Sequence, residues 1–250
     1  FNELAAERYT THIGRTVASA EETDTGITLT LDDGSAVTSE ALLIATGRVP
    51  NSDTLNVHAG GIKTHPDGRV AVDEYGRTSA DGVWSLGDLS SPYQLKHVAN
   101  AEQRAVTHNV LATWSGAEDA SLVPLPHDHV PSAIFTHPQI ATVGMTEQEA
   151  TDAGFDVTVK VQNYGDVAYG WGLEDSTGVV KLVADRSSGK LLGAHYMGPQ
   201  ASTLIQQMIT VMAYGLDLRT FPRAQYWIHP SLAEATENAI LGLDLTFKEV

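Results

Sequence analysis

The sequence predicts an α/β segment followed by an α+β domain of antiparallel strands and helices. Three observations carry this expectation. Ala41–Gly47, Ala-Leu-Leu-Ile-Ala-Thr-Gly, is a continuous apolar run of the kind that fills a strand buried on both faces of a parallel sheet. Gly26–Leu31 alternates apolar and polar residues, Asp32-Asp33-Gly34-Ser35 turns the chain, and Ala36-Val37-Thr38 returns it as a β-hairpin. Further on, Val157–Val161, Gly178–Ala184 and Lys190–Met197 read as antiparallel strands, with a hairpin turn over Asp185–Gly189.

From the N-terminus, Asn2–His12 reads as a helix stopped by Gly14, and Arg15–Ala20 as a short strand. Turns at Gly60-Gly61 and His65–Gly68 bracket short strands. Val83–Leu86 reads as a short buried strand with Gly87-Asp88 at its C-terminal end, where α/β sheets place ligands. The Asp88 carboxylate suits a sugar or ribityl hydroxyl there, although a strand-end Gly-Asp turn has the same sequence. A helix is expected from about His97 to Gly116, with Val98, Ala101, Ala105, Val106, Leu111 and Trp114 as its apolar stripe. Its N-terminal N–H groups and positive dipole end suit an electron-rich carbonyl edge.

Pro124, Pro126 and Pro131 punctuate a linker over Leu122–Pro131, where a domain boundary is placed. His127 and His129 alternate within it, but no third ligand lies nearby, so no metal site is expected. Ser132–Gly144 forms two short strands broken at His137-Pro138, and Thr146 to Glu149 is a capping box that starts a helix at Glu147, stopped by Gly154. Gln200–Gly215 is a helix apolar over more than one stripe, hence buried or at an interface.

Near the C-terminus, Tyr226-Trp227-Ile228-His229-Pro230 precedes a run of helix formers, Leu232–Leu241. Pro230 suits a first helical turn, which places His229 just ahead of the helix and Glu234 about one turn inside. A carboxylate there can hold one imidazole nitrogen and raise the basicity of the other, an oriented general acid/base. A capped surface helix with an incidental histidine fits the same spacing.

Composition sets the outer bounds. Of 250 residues, 42% are apolar, enough to fill a core. Lys and Arg total 15 against 31 Asp and Glu, a net charge of −16 that disfavours nucleic acid and anionic membranes as partners. No apolar run approaches the roughly 20 residues of a membrane span, and Phe1-Asn2-Glu3 begins no signal peptide, so a cytoplasmic location is expected. There is no cysteine, hence no disulfide, no thiolate nucleophile and no Cys-rich metal site. The first methionine is Met145, and Phe1 is an unusual start, so the chain is expected to be the C-terminal part of a longer protein.

Several of these segments resemble one family, the flavin-dependent pyridine nucleotide–disulfide oxidoreductases. His229-Pro-Ser-Leu-Ala-Glu234 resembles its His-Pro-Thr-x-x-Glu motif, and Ala45–Asn51 its Ala-Thr-Gly-Arg-x-Pro-Asn segment. Thr78–Asp88 is similar to its second flavin motif, with mild departures at Ser85 and Leu86. Ser132–Glu147 is similar to the opening of its interface domain. The resemblance implies a C-terminal remnant of an NAD(P)H-binding domain over 1–50, a returning FAD-binding segment over 51–128, and an α+β interface domain over 129–250 that forms a homodimer. It implies FAD, with NADPH or else NADH, as cofactors. Gly87 and Asp88 would meet the ribityl chain; Gln94, Leu95, Lys96 and His97 would line the flavin pyrimidine edge; Gly47 would lie near the nicotinamide. His229, held by Glu234, would serve the redox thiols of the partner subunit on a small-molecule disulfide.

Two positions depart from the family's usual residues, and the first favours the lipoamide and mycothione branches. Lys96-His97 stands where many members have Thr-Pro, and Trp227 where a second histidine is common. Tyr226–Pro230 with Glu237–Leu243 is most similar to the branch that reduces mycothione; the branch acting on dihydrolipoamide is the alternative. Neither a Gly-x-Gly-x-x-Gly fingerprint nor a Cys-x-x-x-x-Cys occurs, so the chain alone is expected to be inactive. The reading from another class is a cysteine-free dimerisation or binding module without catalysis.

Overall fold

A computed structural model of the chain describes residues 1–24, 26–116, 118 and 121–247. It divides into two compact units, Phe1–Pro50 and Asn51–Val250.

The first unit opens with helix α1, Asn2–Ala6, shorter than the expected 2–12. This helix buries no residue, and Thr10-Thr11 are poor helix formers, so packing does not extend it. Strands β1 (Val17–Thr23), β2 (Gly26–Leu31) and β3 (Ala36–Ser39) form an antiparallel sheet in that order. The expected hairpin is β2–β3, paired from Ile27 with Ser39 to Thr30 with Ala36. Its turn is held by Asp33, which accepts from the Ser35 hydroxyl and amide, with Gly34 at φ +83.

The strand expected over 41–47 does not form. Those residues are irregular, and Leu43 is 88% exposed. A doubly buried strand needs neighbours on both edges and cover on both faces, and none of these is supplied among the described residues.

In the second unit, the expected strand Val83–Leu86 reduces to one antiparallel bridge, Arg77 with Trp84, flanked by Thr78 N–H to Val83 O and Ser85 N–H to Gly76 O. With so short a partner the ladder has nothing to extend along. Gly87–Leu89 is a 3-10 turn. Helix α2 runs Lys96–Trp114, close to the expected span, but its buried face is Val98, Glu102, Ala105, Val106 and Asn109. Leu111 and Trp114, assigned to the apolar stripe, are exposed, Trp114 to 78%. The polar Glu102 and Asn109 take the buried places instead.

The α+β expectation holds for the remainder of this unit. Strands β4 (Ser132–Ile134), β5 (Gln139–Gly144), β6 (Val157–Asn163), β7 (Val179–Asp185) and β8 (Leu191–Gly198) form an antiparallel sheet in the order β4-β5-β8-β7-β6. Helix α3, Glu147–Asp152, starts at the expected capping box: Thr146 and Glu149 exchange side-chain and backbone hydrogen bonds. Helix α4, Ala168–Gly172, comes after a turn at the fully buried Tyr164, in a stretch whose pattern suggests no element.

The expected helix over 200–215 is two pieces, α5 (Ala201–Leu204) and α6 (Gln206–Ala213). At Ile205 the backbone stays helical, but its carbonyl is shared by the N–H groups of Met208 (2.9 Å) and Ile209 (3.1 Å), a local tightening. Helix α7 spans Ala233–Leu241. One face of the sheet packs Val143, Leu182 and Tyr196 against Met208, Val211 and Ile240 from the helices; the other packs Val183 and Leu192 with Ala150 of α3. Beyond α7, Leu243 and Leu245 are buried, and Arg219 donates to Thr246 O (3.2 Å) while Arg186 pairs with Asp244.

Candidate active site

His229 and Glu234 are brought together as expected. His229 Nδ1 lies 2.8 Å from Glu234 Oε1, and Glu234 Oε2 accepts from the Ser231 N–H at 2.9 Å. The Ser231 hydroxyl donates to Ile228 O (2.7 Å), and Trp227 Nε1–H donates to Pro222 O (2.9 Å) while its ring meets Phe221 edge-on. The loop is therefore tied down on both sides of the histidine. Pro230 follows a cis peptide bond and precedes the helix rather than occupying its first turn, which begins at Ala233. Glu234 stands in that first turn, where a carboxylate also complements the helix dipole.

The two side chains differ in exposure: 68% for His229 and 19% for Glu234. His229 Nε2 makes no hydrogen bond among the described residues, so one nitrogen is anchored and the other presented. The His229 contact, and then the Ser231 N–H, hold the Glu234 carboxyl below the usual carboxylate range. Burial and the Glu234 charge raise that of Glu237. An ionised Glu234 carboxylate can only accept, so Nδ1 is the ring nitrogen that would donate to it.

The second group gathers around the start of α2. Gly87 has φ +67 and is buried; its N–H donates to Glu102 Oε2 at 2.7 Å, and its carbonyl accepts from the N–H groups of Ser90 (3.0 Å) and Ser91 (2.7 Å). A Cβ at Gly87 would touch Ala99 at 3.4 Å. Asp88 comes next, exposed. Gln94 adopts a left-handed conformation, φ +51, and Leu95 is the extended residue that caps α2. Lys96 Nζ donates to Asn100 Oδ1 (2.6 Å), and His97 Nε2 is 2.8 Å from Pro131 O. Leu95, Lys96 and His97 line a groove with Pro131, Ile205 and Ile209.

Among the described residues, no hydrogen bond or ion pair joins the His229–Glu234 pair to this group. Gly47 belongs to the first unit; it is exposed, at φ +114, with open space where a Cβ would stand. His127, weighed in the sequence as half of a metal pair with His129, has its Nε2 2.7 Å from Glu102 Oε1, and no metal-holding cluster occurs among the described residues.

Glu102 and Asn109 are the residues that sequence reasoning missed. Asn109 Nδ2 donates to Tyr75 O and Val123 O, and its Oδ1 accepts from the Val123 N–H. A signal exists: both polar residues fall on the helical face marked by Val98 and Ala105. Continuing the stripe toward Leu111 and Trp114 hides it.

Comparison with known proteins agrees with this architecture. The chain matches the family described as "Pyridine nucleotide-disulphide oxidoreductase" over residues 2–105, and that family's dimerisation domain over 130–240. It is 51% identical over 243 residues to a mycothione reductase of Mycobacterium tuberculosis, covering 97% of this chain and 52% of that protein. It is 35% identical to a dihydrolipoyl dehydrogenase of Halobacterium salinarum, covering 91% of this chain and 47% of that one. The crystal structure of LpdA from Mycobacterium tuberculosis has the same fold, with a TM-score of 0.83 at 24% identity over 96% of this chain and 50% of that chain. The chain thus spans about half the length of the curated relatives it matches. With one family matched across both of its parts, the chain belongs to the pyridine nucleotide-disulphide oxidoreductases.

Proposed function

We propose that the chain is part of a homodimeric, FAD-dependent NADPH:disulfide reductase whose substrate is mycothione. The observation that carries the reading is the His229–Glu234 pair, with Nδ1 anchored at 2.8 Å and Nε2 presented. The 51% identity to a mycothione reductase supports the substrate class. The 35% identity to a dihydrolipoyl dehydrogenase, together with Leu95-x-His97, favours dihydrolipoamide as the second reading.

FAD, when bound, supplies two-electron transfer between the nicotinamide and an enzyme dithiol. This chain has no cysteine, so it cannot itself provide that dithiol, and alone it would not turn over a disulfide. The residues present fit a flavin. Asp88 is an exposed carboxylate following a Gly87 peptide whose left-handed conformation lets the backbone come close to Ala99, and it would accept from ribityl hydroxyls. The α2 N-terminus, with Gln94 to His97, would face the electron-rich pyrimidine edge. His229 Nε2 would take the proton of the attacking thiol and pass it to the departing substrate thiolate, while Glu234 keeps Nδ1 protonated and stabilises the imidazolium formed in between. In the dimer His229 would act on the partner's thiols.

The test is His229→Ala in the intact protein, assayed with mycothiol disulfide and, separately, with lipoamide. Loss of general acid/base catalysis should cut disulfide turnover about 10²- to 10⁴-fold and leave flavin reduction by NADPH intact. Unchanged turnover would sink the catalytic assignment, and preference for lipoamide would select the second reading.

A further inference from the structure

We infer that Glu102 is a positioning residue: its carboxyl clamps the Gly87 peptide and the 127–131 linker to α2, and so sets where Asp88 and His97 stand against the flavin. The inference rests on the reading of Gly87–His97 as the flavin-binding group.

Glu102 is 1% exposed, although its neighbours on the α2 stripe are apolar. A carboxyl is expensive to bury unless both oxygens are satisfied. Here each oxygen has one partner on a different segment: Oε2 takes the Gly87 N–H and Oε1 the His127 ring, both at 2.7 Å. Gly87 is then held on both sides of its Cα: the N–H of the peptide before it by Glu102, and the carbonyl of the peptide after it by the Ser90 and Ser91 N–H groups. A residue in a left-handed conformation with both flanking peptides pinned leaves the next residue, Asp88, little freedom of direction.

The other oxygen acts on the linker. His127 is packed edge-on against Tyr93 at 5.1 Å, just before the Gln94–His97 stretch. Four residues later, the Pro131 carbonyl meets His97. The linker is therefore fastened to α2 at two points, through residues 97 and 102, and both ends of the flavin-facing stretch are braced by it. Remote hydrogen bonds that hold contact residues in place are worth as much to a site as the contacts themselves.

The experiment compares Glu102→Ala, Glu102→Gln and His127→Phe in the intact protein, with Asn109→Ala as a control that weakens the same helix face but leaves the clamp. Two quantities are read: hydrogen exchange of the Gly87 amide, and the dissociation constant for FAD. Glu102→Ala should raise both about tenfold, the factor that about 1.4 kcal/mol makes. Glu102→Gln should restore both, since its carboxamide oxygen accepts from Gly87 and its NH₂ donates to the His127 ring. His127→Phe keeps the ring against Tyr93 and should weaken FAD less than Glu102→Ala, with Gly87 still protected.

If Asn109→Ala weakens FAD as much as Glu102→Ala does, the effect is mere destabilisation and the positioning role is overturned. Faster Gly87 exchange with unchanged FAD affinity also overturns it. A wild-type protein that takes up no FAD overturns the reading of the site and the positioning role with it. That failure is told apart because affinity is then absent in every variant, while Gly87 exchange still distinguishes them.

Discussion

Tyr196→Phe tests how α7, the helix that carries Glu234, is locked to the sheet. The Tyr196 hydroxyl on β8 lies 2.9 Å from Thr236 Oγ1 on α7, and both residues are 1% exposed. Burial, opposed only in part by the Thr236 bond, pushes the Tyr196 phenol well above its ordinary value, so it stays neutral at any working pH. Removing the hydroxyl keeps the ring in the core but leaves the Thr236 oxygen buried without its partner, which costs about 1–3 kcal/mol. Thr236→Val orphans the phenol instead and should cost a similar amount, since Val matches Thr in shape and β-branching. The pair Tyr196→Phe/Thr236→Val orphans neither group and should recover most of the loss. Urea unfolding of the four proteins, compared by midpoint at constant slope, gives the coupling energy directly. In melting temperature the single variants should fall about 2–4 °C per kcal/mol for a chain of this size. A coupling energy of zero, with the double variant as unstable as the sum of the singles, would refute the argument.

Three further outcomes are expected. Glu234→Gln should flatten the acid limb of the stability profile: the folded-state pKa is depressed, so the contribution is present above about pH 4.3 and is lost as pH falls through the folded value. Burial lowers the pKa of His195, whose ring is engaged by Thr142 Oγ1 (2.6 Å) and Met145 O (3.0 Å). Its share of stability should therefore be whole above about pH 6.5 and fall as pH drops below it; unfolding midpoints of His195→Gln should lose that slope. Gly193→Ala on β8 should cost about 1–3 kcal/mol or more, because its Cβ would overlap the Met145 carbonyl; thermal melting checks it.

Legibility in the sequence tracks locality. The β2–β3 hairpin rests on its own turn residues, and α3 on a capping box within one turn. The α+β strands alternate against partners present in the same chain. The His229–Glu234 contact is local as well, reaching over five residues across the turn that leads into α7. Ala41–Gly47 misleads because a doubly buried strand is a statement about neighbours, and the apolar run carries no information on whether they are there. Leu111 and Trp114 mislead for a related reason: periodicity marks a stripe but not where packing stops. Glu102 and Asn109 are passed over because a polar residue on a buried face reads as a blemish until its partners, Gly87, His127, Tyr75 and Val123, are seen. Tyr164–Gly172 is held by close backbone approaches, such as Gly170 against the Tyr164 carbonyl, which leave no hydrophobic period.

The two halves of the proposed site differ in the loops they must close. His229 and Glu234 are five residues apart, whereas Gly87 to Glu102, His127 to Glu102 and His97 to Pro131 span 15, 25 and 34. Ordering the longest of these costs about 1.7 kcal/mol more chain entropy than ordering the shortest. The imidazole is therefore oriented by a low-contact-order element that survives local loosening, while the flavin-facing part exists only when distant segments have come together. Partial denaturation should silence the cofactor end first, with the proton-handling end still formed.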